Sequence, residues 1–206
     1  MNVDVVTEIV IARPELEKLP FASASALRAW LEANHDTSPG IWLMIAKKGS
    51  GVESATYDEV VDEGLCFGWI DGQKAKHDDR YFLQRFTPRS RRSPWSKINT
   101  GRVARLMTAK KMRPAGMRAV EAAKADGRWD AAYAGQATVV VPDDLRAALD
   151  MSPVAAALFA ELDSTNRYAI LYRVGSGKKP ETRARKIAGF VADLERGETP
   201  YPRKQQ

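Results

Sequence analysis

The chain has one cysteine, Cys66, and two histidines, His35 and His77, in 206 residues. A single cysteine excludes an intramolecular disulfide, and two distant histidines with one thiol give no zinc-ligand spacing. No run approaches the roughly 18 to 20 apolar residues of a membrane-spanning helix. Gly49-Ser50-Gly51 lacks the following Lys-Ser/Thr of a phosphate loop, Gly175-Ser176-Gly177 has no preceding strand, and no dinucleotide fingerprint occurs, so no cofactor is expected. The first residues carry Asp4 and Glu8 where a secretory signal has a basic region followed by an apolar one, and the expected location is the cytoplasm.

The most localised shortage is of acid. Between Asp79 and Glu121 there is no acidic residue, while the same stretch holds Arg80, Arg85, Arg89, Arg91, Arg92, Lys97, Arg102, Arg105, Lys110, Lys111, Arg113 and Arg118. The net charge of the whole chain is +6, so the rest of it sums to −6. A positive field concentrated on an acidic scaffold predicts an anionic partner, either a small molecule or nucleic acid. The competing reading is a solvated helical face with internal ion pairs.

What is present reads as an α+β chain. Val3 to Ile11 is apolar and β-branched, which predicts a strand ending near Arg13-Pro14. Leu27, Trp30 and Leu31 have helical spacing behind Ser23 or Ser25 as cap. Ile41 to Ala46 is a short apolar run of the kind buried strands use. Thr56 with Glu59 three positions on forms a capping box for a helix running to Gly68. Trp69 to Lys76 and Arg80 to Pro88 flank His77-Asp78-Asp79 as a hairpin. A three-residue turn would set Asp71 opposite Arg85, Trp69 opposite Thr87 and Ala75 opposite Tyr81. Ser93-Pro94 predicts a helix start, with Trp95, Ile98, Val103, Leu106 and Met107 as its apolar arc. Further helices are expected over Pro114 to Gly127, Pro142 to Leu149, Pro153 to Leu162, Asn166 to Val174 and Pro180 to Arg196, with Ala131 to Val141 as a connection. The organisation is a core domain over 1–135, with a small mainly antiparallel sheet, and a helical region over 136–206 packed on it.

Cys66 sits between Leu65 and Phe67, where burial blunts a thiol, and both histidines read as exposed. The candidate ligand-binding residues are Trp69, Asp71, Arg85, Arg89, Arg91, Arg92, Ser93, Trp95, Ser96, Asn99 and Arg102. Guanidinium groups beside unpaired N–H groups at a helix start suit an anion, and indole walls suit a stacked guanidinium. Alternatively, Trp69, Trp95 and Phe86 are core, and Asp71, Arg85 and Arg102 form one satisfied network. A second functional reading makes Asp71 the acid/base of an enzyme for a phosphorylated or carboxylated small molecule, with Arg85 and Arg102 stabilising charge. Two guanidiniums would depress that carboxyl and make it a poor acid. A third is a scaffold using the C-terminal helices.

The runs Leu65-Cys66-Phe67-Gly68-Trp69-Ile70-Asp71-Gly72-Gln73-Lys74, Gln84-Arg85-Phe86-Thr87-Pro88-Arg89 and Ser93-Pro94-Trp95-Ser96-Lys97-Ile98-Asn99 resemble the YdeI/OmpD-associated, or bacteriocin-protection, family. Lys179-Pro180-Glu181-Thr182-Arg183-Ala184-Arg185-Lys186-Ile187 resembles the same family's closing motif. The resemblance implies a small α+β protein connected with envelope stress or resistance to antimicrobial peptides. It brings no established reaction and no catalytic residues.

Overall fold

In the computed structural model, residues 15–202 are described; the strand expected over Val3 to Ile11 lies outside them. The chain divides into two compact units, residues up to Ser93 with Arg102–Asp126, and Pro94–Gly101 with Gly127 onwards.

The first unit is built on a four-stranded mixed sheet. A short strand, β1 (Lys18–Pro20), which has no signal in the sequence, pairs in parallel with β2 (Ile41–Ala46). Between them α1 (Ala24–Asn34) starts at Ser23, whose hydroxyl accepts from Ala26 N–H. Next, α2 (Tyr57–Phe67) begins with the expected capping box of Thr56 and Glu59. It ends on Gly68 at φ 76°, a left-handed conformation that glycine adopts without a Cβ penalty. The hairpin strands β3 (Trp69–Lys76) and β4 (Tyr81–Pro88) complete the sheet in the order β1-β2-β4-β3.

Ile41, Leu43 and Ile45 alternate with half-buried neighbours along β2, so one sheet face is apolar by period-two patterning. Leu27 and Leu31 of α1, and Val60, Val61 and Leu65 of α2, are buried with them. Each such Leu contributes roughly 2 kcal/mol. Trp69 packs edge-on to Trp30 at 5.7 Å and tilted on Phe86 at 5.4 Å, with its indole N–H donating to His35 O at 3.3 Å.

The hairpin exists, but its register differs from expectation. Asp71 lies opposite Phe86, Trp69 opposite Pro88 and Ala75 opposite Leu83, with a bulge between Asp71 and Lys74. The closing pair Lys76–Phe82 leaves five residues between the strands, two more than His77–Asp79, and the bulge takes back one; within the turn, Asp78 accepts from both Arg80 N–H and Tyr81 N–H. The buried Gln84 side chain donates to Gly72 O at 2.8 Å and Gln73 O at 3.3 Å, giving the bulged carbonyls the partners the ladder withholds.

A second correction concerns α3 (Lys97–Thr108), which starts four residues after Ser93. Its cap is Ser96, whose hydroxyl accepts from Asn99 N–H at 3.1 Å. Trp95 is held back from the helix because its carbonyl accepts from Tyr133 N–H, while Tyr133 O accepts from Lys97 N–H. Of the expected arc, Val103 and Leu106 are buried, but Ile98 is 57% and Met107 41% exposed. The last element of the first unit, α4 (Pro114–Ala125), brings Gly116 onto the end of α2, where Arg113 N–H donates to Cys66 O at 3.0 Å.

The second unit is helical: α5 (Asp143–Asp150), α6 (Pro153–Glu161), α7 (Ser164–Gly175) and α8 (Pro180–Glu195). Leu145, Leu149, Ala155, Phe159, Ile170, Leu171, Val174, Ile187 and Leu194 form its core. Arg183 of α8 fastens it with a two-pronged bond to Asp144 at 2.5 and 2.9 Å and a third bond to Val174 O.

Among the described residues, five carboxyls are held below their ordinary values by such contacts: Asp144 by Arg183, Asp78 by Tyr81 N–H, Glu59 by Thr56 N–H, Glu32 by Arg113 and Glu198 by Arg196. A carboxyl whose folded pKa is depressed adds stability that is present above the unfolded pKa, roughly 4, and lost as pH falls through the folded value. The melting temperature is therefore expected to fall steadily from about pH 4.5 downwards. A melting temperature by circular dichroism that stays level from pH 5 to pH 2.5 would contradict this.

Candidate functional site

Four of the twelve cations of the basic segment are answered by acid from elsewhere in the first unit. Asp58 and Asp62 stand four residues apart on one face of α2, and Arg102 of α3 bonds to both. Arg105, one turn on, reaches Asp62 at 2.8 Å. Arg113 pairs with Glu32 of α1, and Arg118 approaches Asp36 at 4.0 Å. Among the described residues no carboxylate lies within salt-bridge distance of Arg91 or Arg92, which are both exposed.

The turn that carries those two arginines is fixed by its serines. Ser90 N–H donates to Ser93 Oγ at 3.0 Å, Ser93 N–H to Ser90 O at 3.1 Å and Arg92 N–H to Ser90 Oγ at 3.2 Å. Arg89 N–H donates to Gly68 O at 2.9 Å, which anchors the turn to the start of β3. The backbone donors of this turn are thus largely consumed internally, and no helix N-terminus opens at Ser93. Any anion held here would be held by guanidinium side chains.

The proposed network of Asp71, Arg85 and Arg102 is not assembled. Asp71 accepts a 2.6 Å hydrogen bond from the Tyr57 hydroxyl, Arg102 is occupied by α2, and Arg85 faces Trp42 across the β2–β4 ladder. The hairpin register accounts for this, since the slip of one position moves Arg85 to the sheet face opposite Asp71. Arg85 is half-buried and its Nε has no partner. Burial, seconded by Asp71, pushes the Tyr57 hydroxyl well above the ordinary tyrosine range. Trp69 is 1% exposed and belongs to the core. Trp95, Ser96 and Asn99 belong to the second unit, where Trp95 is buried and stacks obliquely on Trp129 at 5.0 Å.

Cys66 is fully buried and burial raises its thiol pKa, leaving no poised nucleophile there. His77 is exposed, but His35 is half-buried: its Nδ1 is 2.8 Å from Leu31 O and its ring tilts on Phe67. Among the described residues no group of three His, Cys, Asp or Glu is placed to hold a metal ion, and no helix is long and apolar enough to cross a membrane.

The Tyr57–Asp71 bond and the α2 acids were missed in the sequence. The spacing of Asp58 and Asp62 was a usable signal for the acids, because i, i+4 carboxylates on a helix face call for a basic neighbour. Nothing in the sequence pairs Tyr57 with Asp71.

No curated protein and no solved structure matches the chain at a significant level. Residues 19–119, which hold the motifs from Leu65 to Asn99, match a family described as a domain of unknown function (DUF8412). The closing motif from Lys179 to Ile187 lies in a different match, and it is there that the family likeness is borne out: residues 138–197 match the family described as Bacteriocin-protection, YdeI or OmpD-Associated.

Proposed function

We propose that the chain is a non-enzymatic binding protein that holds a polyanionic ligand on the Arg89–Ser93 turn of its first unit. The observation that carries this is the contrast within one basic segment: Arg102, Arg105, Arg113 and Arg118 are matched by carboxylates, while Arg91 and Arg92 are exposed on a stapled turn with no carboxylate within salt-bridge distance among the described residues. Guanidinium groups bind phosphate oxygens in two-pronged geometry, and two on one short turn favour a ligand with repeated phosphates over a single small anion. Exposure means that binding is screened, so affinity falls with salt.

Protection against bacteriocins, which the family description names for residues 138–197, is then indirect. A chain of net charge +6 with unmatched arginines repels a cationic peptide and does not sequester it.

The test is fluorescence anisotropy with a labelled single-stranded oligonucleotide and, as competitor, inorganic polyphosphate. Arg91→Ala/Arg92→Ala is expected to weaken binding about tenfold or more at low salt and to flatten the salt dependence. Arg105→Ala/Arg118→Ala removes the same formal charge from matched positions and should change affinity far less. Equal losses in the two double variants would mean that net charge, not this turn, does the binding.

A further inference from the structure

The second unit contains a cavity of about 350 Å³ between the segment Ala131–Val139 and the end of α7. That is the small end of the range for ligand pockets, roughly 300 to 1,000 Å³, which suits a small molecule and not a peptide helix. Three tyrosines wall it. Tyr133 and Tyr172 meet edge to face at 5.1 Å, and Tyr168 lies 5.9 Å from Tyr172. Tyr168 is fixed by its hydroxyl, which donates to Ala134 O at 3.2 Å, and burial raises its pKa. Tyr172 remains 38% exposed, so its ring surface can take a stacking partner.

The rim sets the sign of the ligand. No acidic residue lines the cavity, and its one charged lining residue is the exposed Lys178. Ser176 is already engaged, donating to Arg173 O and accepting from Lys186 Nζ at 2.8 Å. Lys186 also covers Arg173 O, so this carbonyl at the C-terminal end of α7 is not free to attract a cation. We infer that this cavity is a binding site for a small planar aromatic acid, its ring stacked on Tyr172 and its carboxylate or sulfonate turned to Lys178. None of the arginines of the first unit's turn lines this site, and it differs from that turn in chemistry.

Gly175 supplies a clean test. It lines the cavity at the last position of α7, and a Cβ built there meets nothing within 4 Å. Gly175→Leu should fill the space without straining the helix, and leucine is the better helix former. Titration calorimetry of the full chain with 1-naphthoate, and with 1-naphthalenemethanol as its uncharged counterpart, reads the site. We expect naphthoate to bind, Gly175→Leu and Tyr172→Ala each to weaken it at least tenfold, and Lys178→Gln to weaken naphthoate several-fold while leaving the alcohol unchanged. Arg91→Ala/Arg92→Ala should leave naphthoate binding intact, which separates this result from the fate of the polyanion reading. Unaltered naphthoate affinity in a folded Gly175→Leu protein, no binding to the wild type, or equal affinity for acid and alcohol would each overturn the inference.

Discussion

Gly116→Ala is expected to destabilise the first unit by about 3 kcal/mol, at the upper end of what overpacking costs. Helix propensity alone predicts the opposite sign, since alanine is favoured over glycine inside a helix by about 1 kcal/mol. Packing decides. A Cβ at Gly116 would fall 2.7 Å from Leu65 O and closer still to Cys66 O, and both are backbone atoms at the end of α2 that cannot swing aside. Relief requires α4 to lift from α2, which would also stretch the 3.0 Å bond from Arg113 N–H to Cys66 O. Gly189→Ala in α8 is the matched control, because its Cβ meets nothing within 4 Å and the side chain is exposed. Urea titrations should show Gly189→Ala neutral or slightly stabilising and Gly116→Ala strongly the reverse. Similar midpoints for the two would disprove the close approach of α4 to α2.

Arg28→Ala should cost a comparable amount, about 3 kcal/mol, because it strands a buried carboxylate. Glu63 is 8% exposed, and Arg28 Nη1 stands 2.6 Å from its Oε2. The other guanidinium nitrogen donates to Lys111 O at 2.8 Å, and the group lies 5.6 Å from the Phe67 ring centre, so its loss also opens the packing. The double variant Arg28→Met/Glu63→Leu should recover most of the loss, because an apolar pair of similar volume avoids charge burial altogether. A deficit that the double variant leaves unrepaired would assign the loss to packing alone.

Local chemistry was legible in the sequence and long-range pairing was not. Ser23, Thr56 with Glu59, and Gly68 mark helix ends through bonds to neighbours within a turn, and each end stands where those residues place it. The β2 run and the four C-terminal helices follow from periodicity and proline positions in the same way. The hairpin register depended on Gln84 reaching across to Gly72 and Gln73, a contact no local pattern announces. The start of α3 depended on Tyr133, nearly forty positions away, pairing with Trp95 and Lys97 and so outcompeting Ser93-Pro94 as a start signal.

The candidate site divides along the same line. That Trp69 and Phe86 are core follows from their apolar character, whereas the fate of each arginine was set by acids on other helices. Arg102 reads as a ligand-facing cation in isolation and becomes a clasp once Asp58 and Asp62 are placed beside it. Arg91 and Arg92 differ from it in that, among the described residues, no carboxylate stands within salt-bridge distance of either.

The bulge at Gly72–Gln73 bears on how copies of this protein behave when crowded. Because β3 is the terminal strand of the sheet among the described residues, its outer amides and carbonyls could template the addition of a foreign strand. The irregular spacing breaks that template in the middle, and Lys74 and Lys76 set like charges along it on every molecule. The same detail that sets Asp71 and Arg85 on opposite faces thereby works against fibrous self-association through β3.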